Sequence, residues 1–96
     1  MSVYWVSYYH EIRDEQKMAA YAELAGPALR EAGGTILTRG DSEHHYEHGG
    51  PGKVVIIEFA SMEAAVAAHD SAAYQHALTV LDDGVVREIR FVPGID

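Results

Sequence analysis

The chain of 96 residues contains no cysteine. A disulfide framework, a thiolate nucleophile, an iron–sulfur cluster and a cysteine zinc site are therefore excluded. Basic residues are scarce: 7 Lys and Arg stand against 15 Asp and Glu, for a formal charge of −8. Nucleic-acid binding depends on Lys and Arg neutralising phosphates, so no nucleic-acid partner is expected. The same balance disfavours an anionic membrane surface. Apolar runs fall far short of the ~20 residues needed to span a bilayer, so no membrane association is expected. The opening Met1-Ser2-Val3-Tyr4-Trp5 has no basic stretch ahead of an apolar run, which argues against a signal peptide and for a cytoplasmic location. There is no repeat at solenoid spacing. No Ser-His-Asp spacing and no dinucleotide fingerprint is visible, and Gly49-Gly50-Pro51-Gly52 precedes a strand and not the helix that a phosphate loop requires. No cofactor is expected.

What remains is a chain that is 48% hydrophobic and of a length that fits one domain, residues 1–96. A domain this small buries roughly 60–65% of its unfolded surface, which gives a thin core that a second copy would reinforce. The six histidines would offset most of the negative charge at mildly acid pH.

Val3 to His10 is rich in aromatic and β-branched residues and predicts a strand. Asp14 is the predicted N-cap of a helix whose apolar stripe is Met18, Tyr21, Ala22, Ala25, Ala28, Leu29 and Ala32. Gly33-Gly34 ends it, with Gly33 as a left-handed cap. Pro27 cannot donate to the carbonyl of Glu23, so a kink or broken turn is expected there. Thr35 to Arg39 predicts a short strand, followed by a polar loop from Gly40 to Gly52. Lys53 to Phe59 is the strongest strand, and its near-continuous apolar character predicts burial on both faces. Ser61 caps a helix through Asp70, Ser71 a second piece through about Leu81, and Val85 to Val92 is the last strand.

The order β-α-β-β-α-β is the ferredoxin-like α+β pattern, a four-stranded antiparallel sheet with its helices on one face. Strand alternation assigns Val55, Ile57, Phe59, Ile89 and Phe91 to the helix side. The other face then carries Val54, Ile56, Glu58, Val86, Glu88, Arg90 and Val92. That set is too apolar for water and too charged for a dry core. It suits a sheet packed on a second sheet around a partly polar cavity, and a homodimer is the simplest closure. In the first strand both sets, Tyr4, Val6, Tyr8, His10 and Val3, Trp5, Ser7, Tyr9, are apolar enough to be buried, and alternation alone leaves the choice open.

Several features occur in a fixed order: Tyr4-Trp5, Tyr21, Gly26-Pro27, Gly33-Gly34, Arg39-Gly40, Val54-Val55-Ile56-Ile57-Glu58-Phe59, Ser61, Ala64-Ala65, Asp70-Ser71 and Tyr74. Together they resemble the small bacterial domain-of-unknown-function family numbered thirteen-thirty, of the dimeric α/β-barrel superfamily. The resemblance spans essentially the whole chain. It implies a ferredoxin-like protomer whose sheet packs against its twin. It also implies a small-ligand cavity of the kind found in cofactor-independent monooxygenases, muconolactone isomerases, haem-degrading enzymes and stress-responsive proteins, without choosing a chemistry among them.

Five residues are candidates for lining that cavity: Arg39, Glu58, Tyr8, His69 and Arg90. Glu58 interrupts an apolar strand, so its carboxylate needs a partner. Arg39, ahead of Arg90, is the expected cation, whether the pair anchors a ligand or only ties the sheet together. His69 follows Met62, Ala65 and Val66 at helical spacing and is either a general acid–base or a core histidine. Tyr8 belongs to an aromatic strand that serves core and dimer packing or walls a planar ligand. His44, His45 and His48 lie on a Gly-rich loop that fixes no ligand geometry, so no metal is expected there. Two functional classes follow: a non-catalytic binding or stress protein, and a cofactor-free monooxygenase- or isomerase-like enzyme acting on an aromatic or polyketide-like substrate.

Overall fold

Seven elements arise from this pattern in the computed structural model: β1 (Val3–Ile12), α1 (Glu15–Glu31), β2 (Thr35–Asp41), β3 (Lys53–Phe59), α2 (Met62–Asp70), α3 (Ala72–Leu81) and β4 (Val85–Pro93). The structure describes residues 1–95; Asp96, the last residue of the expected 1–96 domain, lies outside them. The strands form one antiparallel sheet in the order β2-β3-β1-β4. With the helices this makes the ferredoxin-like βαββαβ arrangement that the sequence predicts.

The helix starts are set by side-chain caps. Asp14 accepts from the backbone N–H of Gln16 and Lys17, Ser61 from that of Ala64, and Ser71 from that of Tyr74. Gly33 follows α1 at φ 100°, a conformation that favours glycine. Pro27 does not break α1, which runs unbroken for 17 residues. Glu23 and Pro27 both lie on its exposed side, where water can satisfy the carbonyl that proline leaves without a donor. β1 and β2 each extend two residues beyond the predicted ends.

The choice left open in β1 resolves cleanly. Val3, Trp5, Ser7 and Tyr9 are buried on the helix side, and Tyr4, Val6 and Tyr8 lie half-buried on the other. Trp5 is the hub of the core. Its ring stacks on Phe59 at 6.2 Å, meets Tyr74 edge-on at 5.2 Å and lies 5.1 Å from Phe91. Each large apolar side chain buried this way contributes about 1.5–3 kcal/mol. β3 keeps the expected facing, with Ile57 and Phe59 buried under the helices.

One irregularity redirects the candidate site. Ile36 pairs with Ile57, but Thr38 pairs with Ile56, so β2 carries one extra residue. Beyond this bulge the facing of β2 is inverted relative to strict alternation. Arg39 pairs with Val55 and therefore joins Ile36 on the helix side.

Candidate functional site

The face that α1 turns to the sheet carries Ala22, Ala25 and Gly26, side chains too small to fill the space above β1 and β3. A cleft of about 410 Å³ results, within the ~300–1,000 Å³ usual for small-molecule sites. Its floor is Trp5, Ser7 and Tyr9 of β1 with Val55 and Ile57 of β3; Met18 and Tyr21 of α1 form a wall. Arg87 of β4, Arg39 of β2 and Lys53 at the start of β3 bring three cations to it, against the single carboxylate of Glu23 on the rim.

Arg87 is the organising residue. Its Nη1 donates to the hydroxyls of Tyr9 at 2.9 Å and Tyr21 at 3.1 Å, and its Nη2 donates to the hydroxyl of Tyr74 at 3.2 Å. The Tyr21 and Tyr74 hydroxyls share a further bond of 2.7 Å. The guanidinium carbon lies 4.9 Å from the centre of the Tyr21 ring and 5.4 Å from that of Tyr9, so cation–π attraction adds to the hydrogen bonds. Burial works against this charge. The surrounding phenols of Tyr21, Tyr74 and Tyr9 more than offset that effect and hold the guanidinium pKa above its ordinary value. Burial pushes the Tyr21 phenol up, Arg87 pulls it down and Tyr74 pushes it up again, for a net rise. Tyr9 rises too, again chiefly through burial. Tyr9 and Tyr21 are thus neutral donors near pH 7. Ser7, 3% exposed, accepts a 2.9 Å bond from the indole N–H of Trp5 and keeps its own hydroxyl proton available.

Of the five candidates read from the sequence, only Arg39 lines this cleft. The expected Arg39–Glu58 pair does not form. Glu58 is level with Thr35 in the β2–β3 register and faces away from the helices, while the bulge turns Arg39 towards them. The carboxylate of Glu58 instead accepts from the Tyr4 hydroxyl at 3.3 Å. Arg90 is bound to Glu88 at 2.7 Å, so it does not serve Glu58 either. Tyr8 lies on the same far face, its ring edge-on to His10 at 4.9 Å. His69 packs 5.7 Å from Trp5 and 5.3 Å from Tyr74, with Nδ1 2.9 Å from Asp70. It borders a separate shallow depression with Ile89 and Phe91. The loop histidines are not drawn together: among the described residues no group of three or more His, Asp or Glu side chains is placed to hold a metal ion. No helix among them is long and apolar enough to cross a membrane.

The residues that sequence reasoning missed are Arg87, Tyr9, Tyr21, Tyr74, Ser7 and Lys53. Alternation back from Phe91 and Ile89 reaches Arg87, and that signal alone would have placed a cation under the helices.

Comparison with solved structures supports the fold. A protein of unknown function from Rhodopseudomonas palustris superposes with a TM-score of 0.77 at 16% identity, covering 99% of this chain and 83% of that one. SnoaB, a cofactor-independent oxygenase from Streptomyces nogalater, gives 0.70 at 10% identity over 99% and 94%. A dimeric ferredoxin-like protein of unknown function from Thermobifida fusca gives 0.66 at 16% identity over 98% and 92%. No match was found among curated proteins. The model of the family described as Domain of unknown function (DUF1330) matches residues 2–95, and the chain belongs to that family.

Proposed function

We propose that this chain is a one-domain, homodimeric, cytoplasmic protein that binds a small organic molecule in the cleft between its sheet and α1, in a non-catalytic binding or stress-related role. The observation that carries this is the cleft itself, an apolar and aromatic hollow into which Arg87, Tyr9 and Ser7 converge. Apolar walls with a few placed polar groups are the usual make-up of a small-molecule site. The dimer rests on the far face of the sheet, where Val86 and Val92 are 39% and 46% exposed beside Val54 and Ile56. The Thermobifida fusca neighbour is described as dimeric, which favours the same closure here.

Calorimetry with a panel of bicyclic aromatic compounds tests the binding role. One saturable site per protomer is expected, lost in Ala22→Phe, which fills the cleft from α1 while leaving the fold intact. Binding that survives Ala22→Phe, or no binding by any compound, refutes the reading. A cofactor-free enzyme is the second reading. It is favoured by the same donors, because a guanidinium and phenols aimed into a cleft stabilise an enolate or phenolate as its charge develops. SnoaB is described as such an oxygenase. Oxygen consumption or a colour change on adding quinol substrates would decide for it.

A further inference from the structure

The cleft binder proposed above has a definite ligand class, and we infer that it is a carboxylate: a small organic acid whose carboxylate meets Arg87 and whose apolar body lies along Met18, Val55 and Ile57. The inference rests on that small-molecule reading and on a count of hydrogen-bonding capacity.

A guanidinium carries five N–H donors and no acceptor. Three of those of Arg87 go to the phenols of Tyr9, Tyr21 and Tyr74. The Nε–H and one Nη2–H have no acceptor among the described residues, and Arg87 forms no ion pair among them. Each phenol oxygen already accepts from Arg87. One phenol proton is spent between Tyr21 and Tyr74, which leaves that of Tyr9 and one of the other two. Ser7 adds a further hydroxyl proton, its oxygen being used by Trp5. The cluster is therefore rich in unspent donors and has no carboxylate acceptor of its own. A neutral ligand would leave the Arg87 charge half-buried without a counterion, whereas a carboxylate supplies the missing charge and two acceptor oxygens.

The remaining cations agree. Arg13 is bound to Glu11, Lys17 to Asp82 and Asp83, and Arg90 to Glu88. Arg30, Arg39 and Lys53 have no such partner among the described residues, and of these Arg39 and Lys53 lie on the cleft. Two features favour a carboxylate over a phosphate. The cleft offers one planar guanidinium at depth, which matches one carboxylate edge. The N–H groups at the α1 N-terminus, the usual phosphate cradle, are already occupied by Asp14.

The test compares four probes of one shape by calorimetry on the wild-type protein: 2-naphthoate, 2-naphthamide, 2-naphthyl phosphate and 2-naphthylmethylamine. The naphthoate is expected to bind about tenfold or more tightly than the amide, the size of one charge-assisted hydrogen bond. Arg87→Met should erase that preference and leave amide binding in place, while Arg13→Ala should change neither. Should Arg87→Met lose its near-ultraviolet dichroism, Arg87→Lys and Tyr9→Phe serve instead, each narrowing the preference. Equal binding of naphthoate and amide overturns the carboxylate assignment and spares the cleft. Tighter binding of the phosphate or the amine overturns it in favour of that class. Failure of all four to bind overturns the small-molecule reading itself.

Discussion

Removing one oxygen atom tests the network under the cleft. Tyr21→Phe keeps the ring, which is 5% exposed and stacked beneath Arg87 at 4.9 Å, so apolar burial and the cation–π contact persist. The hydroxyl is lost, and with it the 2.7 Å bond to Tyr74 and the 3.1 Å bond from Arg87. Arg87 keeps Tyr9, but the Tyr74 hydroxyl, on a fully buried residue, is left with Arg87 alone and cannot readily recruit water. A buried polar group deprived of its partner costs about 1–3 kcal/mol. At about 4–8 °C per kcal/mol for a domain of this size, a Tm fall near ~10 °C is expected. Urea unfolding at pH 7 measures the loss directly. The alkaline limb supplies a second readout. Burial first, then Tyr74, raises the Tyr21 pKa in the folded state, against the pull of Arg87. The folded pKa lies above the unfolded one, so this stabilisation is complete below the ordinary phenol value of about 10 and is lost as pH climbs beyond it. Wild-type stability should decline above about pH 10, and that of Tyr21→Phe should decline less. A stability change within ~0.5 kcal/mol together with unaltered alkaline limbs would refute the network as a buried, mutually dependent unit.

Other consequences are simpler. Gly34→Ala would place a methyl carbon 2.8 Å from the Phe59 ring and 2.9 Å from the Leu29 carbonyl oxygen, so a loss of about 1–3 kcal/mol is expected by urea unfolding; a neutral outcome would mean that the α1–β2 corner yields. Deleting His44 to Gly49 and bridging the ends should leave Tm nearly unchanged, because the hairpin is closed at its base by the Ser42 N–H to Gly52 carbonyl bond of 2.9 Å; a fall of many degrees, or rescue by stoichiometric zinc, would show the loop to be structural. Sedimentation at micromolar concentration should give two copies, and Ile56→Glu on the far face should give one folded copy; a monomeric wild type would contradict the dimer.

The fold is legible because its signals are local and redundant. Asp14, Ser61 and Ser71 announce helix starts by chemistry that needs only the next three residues. The alternation in β3 and β4 survives in the structure, since both register shifts put their extra residue in the opposing strand, β2 between Ile36 and Thr38 and β1 between Tyr9 and Glu11. The site is far less legible. Alternation assumes no extra residue, and the one extra residue between Ile36 and Thr38 moved Arg39 to the other face and dissolved the pair with Glu58. Arg87 was hidden for a different reason. An arginine between Val86 and Glu88 looks like solvated surface, and its partners lie 13, 66 and 78 residues away on α3, α1 and β1. No spacing rule joins residues so distant; only the closed fold does.

The charge of −8 argued against anionic partners, yet the cleft is built for one, and the two statements hold at different distances. At physiological ionic strength a field decays over about 8 Å, so the net charge of the surface hardly reaches a ligand already inside a hollow. What that ligand meets is Arg87, with Arg39 and Lys53 nearby and Glu23 the one carboxylate on the rim. The acidic groups closest to other cations are spent on them: Glu11 on Arg13, Asp82 and Asp83 on Lys17, Glu88 on Arg90. Of the seven Lys and Arg, four (Arg30, Arg39, Lys53 and Arg87) have no carboxylate partner among the described residues, and three of those four gather at one cleft. Holding Arg87 there, half-buried, carries a desolvation cost, and the phenol oxygens that accept from it more than offset that cost. Arg87→Met takes a donor from three buried phenol oxygens at once, so by urea unfolding it should cost the fold at least as much as Tyr21→Phe does, even as it abolishes the preference for the carboxylate probe; a smaller loss would refute Arg87 as the organiser of the network.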